Sequence, residues 1–229
     1  MHNRAVTTVV PAGLVQALRE AKSVTALTGA GVSAESGIPT FRDALEGLWA
    51  KFDPEDLATP EAFERDPANV SRWYDERRLR IASCRPNPGH LALARLERRL
   101  AVAGRRFALL TQNVDRLHQA AGSGHVVELH GSLWVWRCTA CGVEREERGG
   151  PFIAHPPRCA CGGARRPGVV WFGEDLPAAA VEAAEEACAE CDLFLSVGTS
   201  AAVYPAAGFI HLRAAGAPGP RRSISSRPR

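Results

Sequence analysis

Long apolar runs are missing from this sequence of 229 residues. No stretch approaches the roughly 20 apolar residues that a membrane-spanning helix needs. Residues 1–20 also lack the sustained apolar core of a signal peptide. These absences argue against a membrane-spanning protein and against a secreted one. We therefore expect a cytoplasmic protein that makes no membrane contact.

A strongly basic body is missing as well. The formal net charge is only +3, and several arginines behind it lie together near the end of the sequence, at Arg221, Arg222, Arg227 and Arg229. The excess of positive charge therefore comes from the last residues of the sequence and not from the rest of the chain, so we predict no specific nucleic-acid partner. Internal repeats are absent, which argues against a repeat architecture.

Apolar strands alternate with helices along most of the chain. Strands are predicted at residues 23–28, 106–110, 126–129, 169–172 and 193–197. Helices are predicted at residues 11–20, 67–83, 88–100 and 177–189, with two more starting near Val114 and Pro205. This alternation is typical of an α/β fold with a mostly parallel sheet.

The alternation is interrupted twice, which suggests a single domain with insertions. We predict a Rossmann-like, doubly wound parallel sheet formed by about residues 1–40, 88–131 and 167–215. A helical and loop insertion occupies residues 41–87, and a small module rich in Cys, Gly, Pro and charge occupies residues 132–166.

The tail at residues 216–229 consists mainly of Gly, Pro, Ser and Arg. It lacks apolar periodicity, and we expect it to be irregular.

Two close cysteine pairs lie in the small module. Cys138-x-x-Cys141 and Cys159-x-Cys161 are separated by 17 residues. Four thiolates suit a closed tetrahedral zinc site, although the second pair is one residue tighter than the usual CxxC. Such a site is structural, and metal binding would supply folding energy to a module too small for its own core.

A third cysteine pair, Cys188-x-x-Cys191, has better spacing for a metal. It ends an Ala-rich helix just before a buried strand. We therefore interpret both residues as small core side chains.

A glycine turn follows the first strand. Residues 29–34 read GAGVSA and fit G-x-G-x-x-G/A, a pattern that lets backbone N–H groups approach a pyrophosphate. Glycine turns after strands also occur without ligands. No acidic residue ends a second strand about 20 residues later, since Asp53 lies in a loop before Pro54, so an ordinary dehydrogenase is disfavoured.

Five motifs in order together resemble the sirtuin family. They are GAGVSAESGIPTFRD at 29–43, TQNVDRLH at 111–118, ELHGS at 128–132, GVVWFGE at 168–174 and GTSAAVYPAAG at 198–208. The resemblance implies NAD-dependent removal of acyl groups from protein lysines: acetyl, with succinyl and malonyl also expected. The products would be nicotinamide and O-acyl-ADP-ribose. It also implies NAD and one structural Zn²⁺ as cofactors, and acylated lysine in proteins or peptides as the partner.

His130 in ELHGS matches the catalytic histidine of the family, which acts as general base on a ribose hydroxyl. Imidazole suits this role because its ordinary pKa of about 6.5 leaves much of it neutral near pH 7. A lone histidine at a strand end is more often structural, and only its motif favours the catalytic interpretation.

The resemblance also implies a set of cofactor-binding residues. Those that follow the strand at 106–110 could equally cap the next helix, and both roles are compatible. The full set is Gly29, Ala30, Gly31, Ser33, Phe41, Arg42, Gln112, Asn113, Asp115, Gly198, Thr199 and Ser200.

Tyr74 and Arg77 are three residues apart in a predicted helix and so share a face. They match a tyrosine–arginine pair that one sirtuin class uses to bind acidic acyl groups. Arginine can hold a carboxylate through two N–H bonds, and tyrosine adds a third. The alternative is an ordinary charged helix face in WYDERRLR.

Phe172, Gly173, Glu174 and Val203 match the two segments between which the family binds a peptide as an added strand. Two other functions stay open: mono-ADP-ribosyl transfer on the same fold, and a catalytically weak, zinc-stabilised binding module. The second follows from the tail, which reads GAPGPRRSISSRPR where the family has a further strand with an Asn motif. We accordingly expect weakened NAD binding.

Overall fold

The computed structural model of the protein describes residues 10–39, 56–199, 208–209 and 223–225. The helices are α1 (Ala12–Glu20), α2 (Pro60–Arg65), α3 (Pro67–Ala82), α4 (Pro88–Val102), α5 (Leu117–Ala120) and α6 (Ala178–Glu190). The strands are β1 (Ser23–Thr28), β2 (Arg106–Thr111), β3 (Val126–Glu128), β4 (Gly131–Cys138), β5 (Glu144–Glu146), β6 (Arg165–Val169), β7 (Leu193–Val197) and β8 (Ser223–Ser225).

A five-stranded sheet in the order β3–β2–β1–β7–β8 carries the fold, and each of its pairings is parallel. The central strand β1 is buried along its whole length, as an apolar run without alternation predicts. Strand order reverses direction at β1, and ligands of such folds bind at the carboxyl ends of the strands beside this point. The predicted α/β fold with a parallel sheet is confirmed.

Helices cover both faces of this sheet. On one face Leu27 and Phe194 pack with Ala184, Cys188 and Cys191 of the α6 region. On the other face, side chains of α1 and α4 pack over β1 and β7. Cys188 and Cys191 are thus small core side chains, as predicted.

The small module is an antiparallel sheet in the order β5–β4–β6. The prediction of a parallel strand at residues 169–172 is wrong, because Val169 ends β6 and pairs with Gly131 of β4. A short apolar run does not reveal which sheet it joins, and here antiparallel pairing with β4 decides it.

The helical insertion shares one core with the small sheet. Trp73 and Tyr74 of α3 pack in the same cluster as Trp136 of β4 and Trp171 just after β6. Both helices of the insertion begin at side-chain caps, where Thr59 accepts the N–H of Ala62 and Asp66 accepts that of Asn69. Neither part has a separate core, so each stabilises the other.

The remaining differences are local. The helix predicted from Val114 begins at Leu117, because Arg116 has a left-handed backbone with φ of 61° and Asp115 caps Leu117. The tail was expected to be irregular, yet Ser223–Ser225 forms a strand on the open edge of β7, whose backbone groups would otherwise lack partners. The start of the helix predicted near Pro205 lies outside the described residues.

Within the described ranges, no helix combines the length and apolar character needed to cross a membrane.

Candidate active site

Two glycine turns meet at the carboxyl ends of β1 and β7. The N–H of Gly31 donates to the carbonyl of Gly198 over 2.8 Å. A Cβ added to Gly31 would lie 2.8 Å from that same carbonyl oxygen, and one on Gly29 would lie 2.7 Å from Cβ of Thr199. Any larger residue would separate the turns, so the glycines that match the cofactor motif are also required by packing.

A buried polar cluster lies beside the first turn. Ser33 Oγ donates to Asp115 Oδ2 over 2.7 Å, and Asn113 Nδ2 donates to Ser33 Oγ over 3.0 Å. Asp115 Oδ1 also accepts the N–H of Leu117 over 2.8 Å, so it caps α5 as well. The structure therefore brings three predicted cofactor residues together, and Asp115 has the capping contact that was the alternative interpretation.

Two residues at the start of α4 brace this cluster and were missed in the sequence. His90 Nε2 lies 3.3 Å from Ser33 Oγ, and Asn87 Nδ2 donates to the carbonyl of Val32 over 2.7 Å. Burial lowers the pKa of His90, which keeps the ring neutral. The available signal was a cap residue before Pro-Gly at a helix start, which by itself indicates only a helix boundary.

Gln112 connects the second turn to His130. Its side-chain Nε2 donates to Thr199 Oγ1 over 3.0 Å, and its backbone carbonyl oxygen lies 3.0 Å from Nδ1 of His130. A carbonyl can only accept, so Nδ1 carries the proton and Nε2 is left as the basic nitrogen. Burial lowers the pKa of His130, and the bond to Gln112 opposes this only in part. Near pH 7 the ring is neutral and able to accept a proton.

Tyr74 and Arg77 both lie on α3, where Tyr74 is buried in the shared core and Arg77 is half-buried beside it. The Tyr74 hydroxyl accepts a hydrogen bond from Nε1 of Trp171 over 2.9 Å, and burial raises its pKa to about 12. Cζ of Arg77 lies 5.2 Å from the ring centre of Trp73. Burial lowers the pKa of Arg77, against the effects of Tyr74 and Asp115. Among the described residues, Arg77 has neither a hydrogen-bond acceptor nor an ion-pair partner.

The segment after β6 is anchored at both ends. The N–H of Phe172 donates to the carbonyl of Ala58 over 2.9 Å, while its ring is about half exposed. Glu174 accepts two bonds from Arg166, of 2.6 and 2.8 Å. Burial would raise the pKa of Glu174, but these bonds outweigh it and keep the carboxylate ionised. Its side chain is thus engaged within the protein.

Some predicted residues lie outside the described ranges. They are Phe41, Arg42, Ser200 and Val203.

The four module cysteines come together. Their sulfurs lie within 4.8 Å of one another, with 3.5 Å between Cys138 and Cys161 and 3.8 Å between Cys141 and Cys159. A tetrahedral zinc with Zn–S bonds of about 2.3 Å requires about 3.8 Å between sulfurs. The backbone N–H of Cys161 lowers the pKa of Cys159 to about 6, which favours its thiolate. The pKa of Cys141 is raised to about 11, because the Val143 N–H that lowers it is outweighed by the three neighbouring thiols. The cysteines fit a structural zinc site, and the tight second pair is compatible with it.

A buried ionic link connects α3 to the module and was also missed. Arg78 is 1% exposed, and its Nη2 donates to Asp75 Oδ1 over 2.6 Å. Asp75 Oδ2 accepts the N–H of Phe152 and lies 3.2 Å from Nε2 of His155. Arg78 also donates to the carbonyls of Glu147, Gly149 and Gly150. In the sequence, Asp75 and Arg78 belong to the charged run WYDERRLR, a pattern typical of a solvated helix face.

The chain is similar to known proteins of one family. Residues 29–205 match the model of the Sir2 family. An NAD-dependent protein deacylase of Ralstonia nicotianae is 57% identical over 196 residues, covering 83% of this chain and 76% of the relative. A mitochondrial NAD-dependent protein deacylase sirtuin-5 of Canis lupus familiaris is 46% identical over 213 residues, covering 83% and 68%.

Solved structures show the same likeness. A Sir2 homologue in complex with NAD superposes with a TM-score of 0.85 at 44% identity, covering 95% of this chain and 82% of the homologue. The family match spans most of the chain and includes the glycine turn, the polar cluster and the cysteine module. This chain belongs to the Sir2 family of sirtuins, as its five motifs predict.

Proposed function

We propose that this chain uses NAD to remove acyl groups from lysine side chains of proteins. The products are the free lysine, nicotinamide and O-acyl-ADP-ribose. One observation carries the proposal: the bonded cluster of Ser33, Asn113 and Asp115 lies where the parallel strands end, and His130 is bound to the backbone of the adjoining Gln112. Ligands of doubly wound folds bind at this edge.

We assign NAD to the two glycine turns and the polar cluster. The close packing of Gly31 on Gly198 keeps both turns free of side chains, which suits the approach of a pyrophosphate to the backbone. Amide and carboxylate groups suit the nicotinamide and ribose half. The full set is Gly29, Ala30, Gly31, Ser33, Phe41, Arg42, Gln112, Asn113, Asp115, Gly198, Thr199 and Ser200.

His130 is the general base of this proposal. When bound, NAD would supply a ribose carbon whose bond to nicotinamide breaks as the acyl oxygen of the lysine bonds to it. Attack of a ribose hydroxyl on the acyl carbon, with one water consumed, would then release the free lysine. Nε2 of His130 accepts the proton of this ribose hydroxyl, because Nδ1 is occupied at the Gln112 carbonyl. The lowered pKa keeps the ring unprotonated and therefore active near neutral pH.

Tyr74 and Arg77 select acidic acyl groups such as succinyl and malonyl. Tyr74 lies inside an aromatic core and the half-buried Arg77 lies beside it against Trp73, where the described residues provide no acceptor for the guanidinium. A carboxylate brought by the substrate would supply that acceptor. This supports the acyl-binding interpretation over a solvated charged face.

The peptide backbone of the substrate binds as a strand between the segment of Phe172, Gly173 and Glu174 and that of Val203. Since Arg166 holds the Glu174 side chain, we expect this segment to act through its backbone. Backbone pairing tolerates many sequences, so a range of protein substrates is expected.

The zinc module is structural in this proposal. Four thiolates from Cys138, Cys141, Cys159 and Cys161 leave the metal no open position. Thiolates remain available for metal in a reducing compartment, which supports the expected cytoplasmic location.

The test is mass spectrometry of acetyl- and succinyl-lysine peptides incubated with the chain and NAD. Loss of the acyl group together with O-acyl-ADP-ribose is expected. His130→Ala should lower turnover by about 10²–10⁴-fold, the usual contribution of a positioned base. The matched control is His125→Ala, since His125 is exposed.

Two results would contradict the proposal. A mass gain of ADP-ribose on the peptide would identify a transferase instead. Unchanged peptides, with no NAD binding by titration, would indicate a binding module. If the His130→Ala variant turns over substrate at the parent rate, His130 is not the general base, but the proposed deacylase activity stands.

A further inference from the structure

A hydrogen bond between two aromatic side chains lies inside the shared core. Nε1 of Trp171 and the hydroxyl oxygen of Tyr74 are 2.9 Å apart, and the residues are 97 positions apart in the sequence. Both are almost completely buried, at 3% and 5% exposed. Trp171 lies in the motif GVVWFGE and has no part in the function proposed above.

The direction of this bond is fixed by chemistry. An indole N–H can only donate, so the Tyr74 oxygen must be the acceptor. The hydroxyl proton is therefore directed elsewhere, and no acceptor for it is found among the described residues. With a pKa of about 12, Tyr74 retains that proton throughout the physiological range.

Trp171 is itself held in place. The guanidinium of Arg166 lies over its ring, with Cζ 3.4 Å from the centroid, and Arg166 is paired with Glu174. The backbone N–H of Trp171 donates to the same Glu174 over 2.9 Å. The ring of Phe63 packs beside it at 5.5 Å between centroids. The indole is thus fixed on several sides, which makes its N–H a directional donor.

We propose that Trp171 is a positioning residue for acyl specificity: its N–H occupies the Tyr74 oxygen and thereby presents the Tyr74 proton to the carboxylate of an acidic acyl group. This rests on the proposed deacylase function and extends it. A neutral acyl group such as butyryl has no acceptor at its distal end for that proton, so Trp171 affects only acidic substrates through this bond.

The test compares Trp171→Phe with the parent chain on succinyl and butyryl peptides. Butyryl matches succinyl in chain length and lacks the carboxylate. The ratio of kcat/KM for succinyl over butyryl should fall about three- to tenfold, as expected for one lost hydrogen bond. This ratio does not depend on the amount of folded enzyme, so a partly unfolded variant still gives an answer.

Trp136→Phe is the matched control. Trp136 lies fully buried in the same core cluster, and its Nε1 has no hydrogen-bond partner among the described residues. Its replacement removes the same N–H and the same ring area from the same core. The succinyl to butyryl ratio of Trp136→Phe should equal that of the parent chain.

Tyr74→Phe completes a double-mutant cycle. If Trp171 acts through Tyr74, adding Trp171→Phe to Tyr74→Phe should not lower the ratio further. Additive losses, or an unchanged ratio in Trp171→Phe alone, would overturn the inference. Failure of the parent chain to remove either acyl group would instead overturn the proposed function.

Discussion

The residues proposed to bind and act on NAD (Ser33, Gln112, Asn113, Asp115 and His130), here called the cofactor edge, and those proposed to bind the acyl group (Tyr74, Arg77 and Trp171), here called the acyl pocket, are built in opposite ways. At the cofactor edge the polar groups bond to one another, so their positions are fixed by the protein. In the acyl pocket, the Arg77 guanidinium and the Tyr74 proton have no acceptor among the described residues. On the proposed assignments, NAD would meet a network that is already hydrogen-bonded, whereas acyl selectivity would come from donors that the substrate satisfies.

The largest effect is expected from removing the zinc, which should disturb the acyl pocket and not the cofactor edge. Cys138→Ala should lose the metal and destabilise the small sheet on which the acyl pocket packs, because the module depends on zinc for folding energy. Metal analysis and thermal unfolding measure the two effects. Cys188→Ala is the control, since Cys188 is buried against the large sheet, and it should retain one zinc per chain. Loss of zinc from Cys188→Ala would refute the ligand assignment.

The next effect concerns the ionic link beneath the acyl pocket. Arg78→Met leaves Asp75 buried without its cation and should lower the free energy of unfolding by about 3–5 kcal/mol. Denaturant titration measures this loss. Arg80→Met on the same helix is exposed and should change stability by less than about 0.5 kcal/mol. Equal effects of the two variants would mean that the link does not hold α3 to the module.

A smaller change should affect selectivity alone. Arg77→Met removes the charged donor of the acyl pocket and should lower kcat/KM for succinyl peptides by about 10- to 100-fold, the value of a charge-assisted hydrogen bond. Butyryl peptides should lose much less. Arg72→Met on the exposed face of α3 should leave both rates unchanged. Equal losses on both peptides in Arg77→Met would return Arg77 to the charged-face interpretation.

The smallest effect is a pH dependence that differs between the regions. The base form of His130 is active and its pKa is lowered, so kcat/KM should rise with pH through a midpoint below 6.5 and then level off. The succinyl to butyryl ratio should stay constant from pH 6.5 to 9, because Tyr74 has a pKa of about 12. A ratio that falls in this range would show that Tyr74 ionises and does not act as a donor.

The two regions also differ in how far sequence predicts them. The cofactor edge follows from local patterns: apolar strands, a glycine turn, and polar residues directly after β2. The cysteine cluster follows equally well from spacing. Residues in these patterns lie close to the strand ends that bring them together.

The acyl pocket depends on contacts that sequence does not reveal. Arg78 lies in a charged run that is typical of an exposed helix. It is nevertheless buried, and its guanidinium donates hydrogen bonds to backbone carbonyls of the module. β6 joins the small sheet and not the large one, which places Trp171 against Tyr74. Such pairings are decided by packing between distant segments, and no local pattern encodes them.

The most direct test is steady-state kinetics of Ser33→Ala and Arg77→Met, each measured for NAD and for both acyl peptides. Ser33→Ala removes the donor to Asp115, so KM for NAD should rise roughly tenfold while the succinyl to butyryl ratio stays at the parent value. Arg77→Met should lower that ratio and leave KM for NAD unchanged. If each variant alters both quantities to a similar extent, cofactor binding and acyl selection are not separate, and the account of two independent regions is wrong.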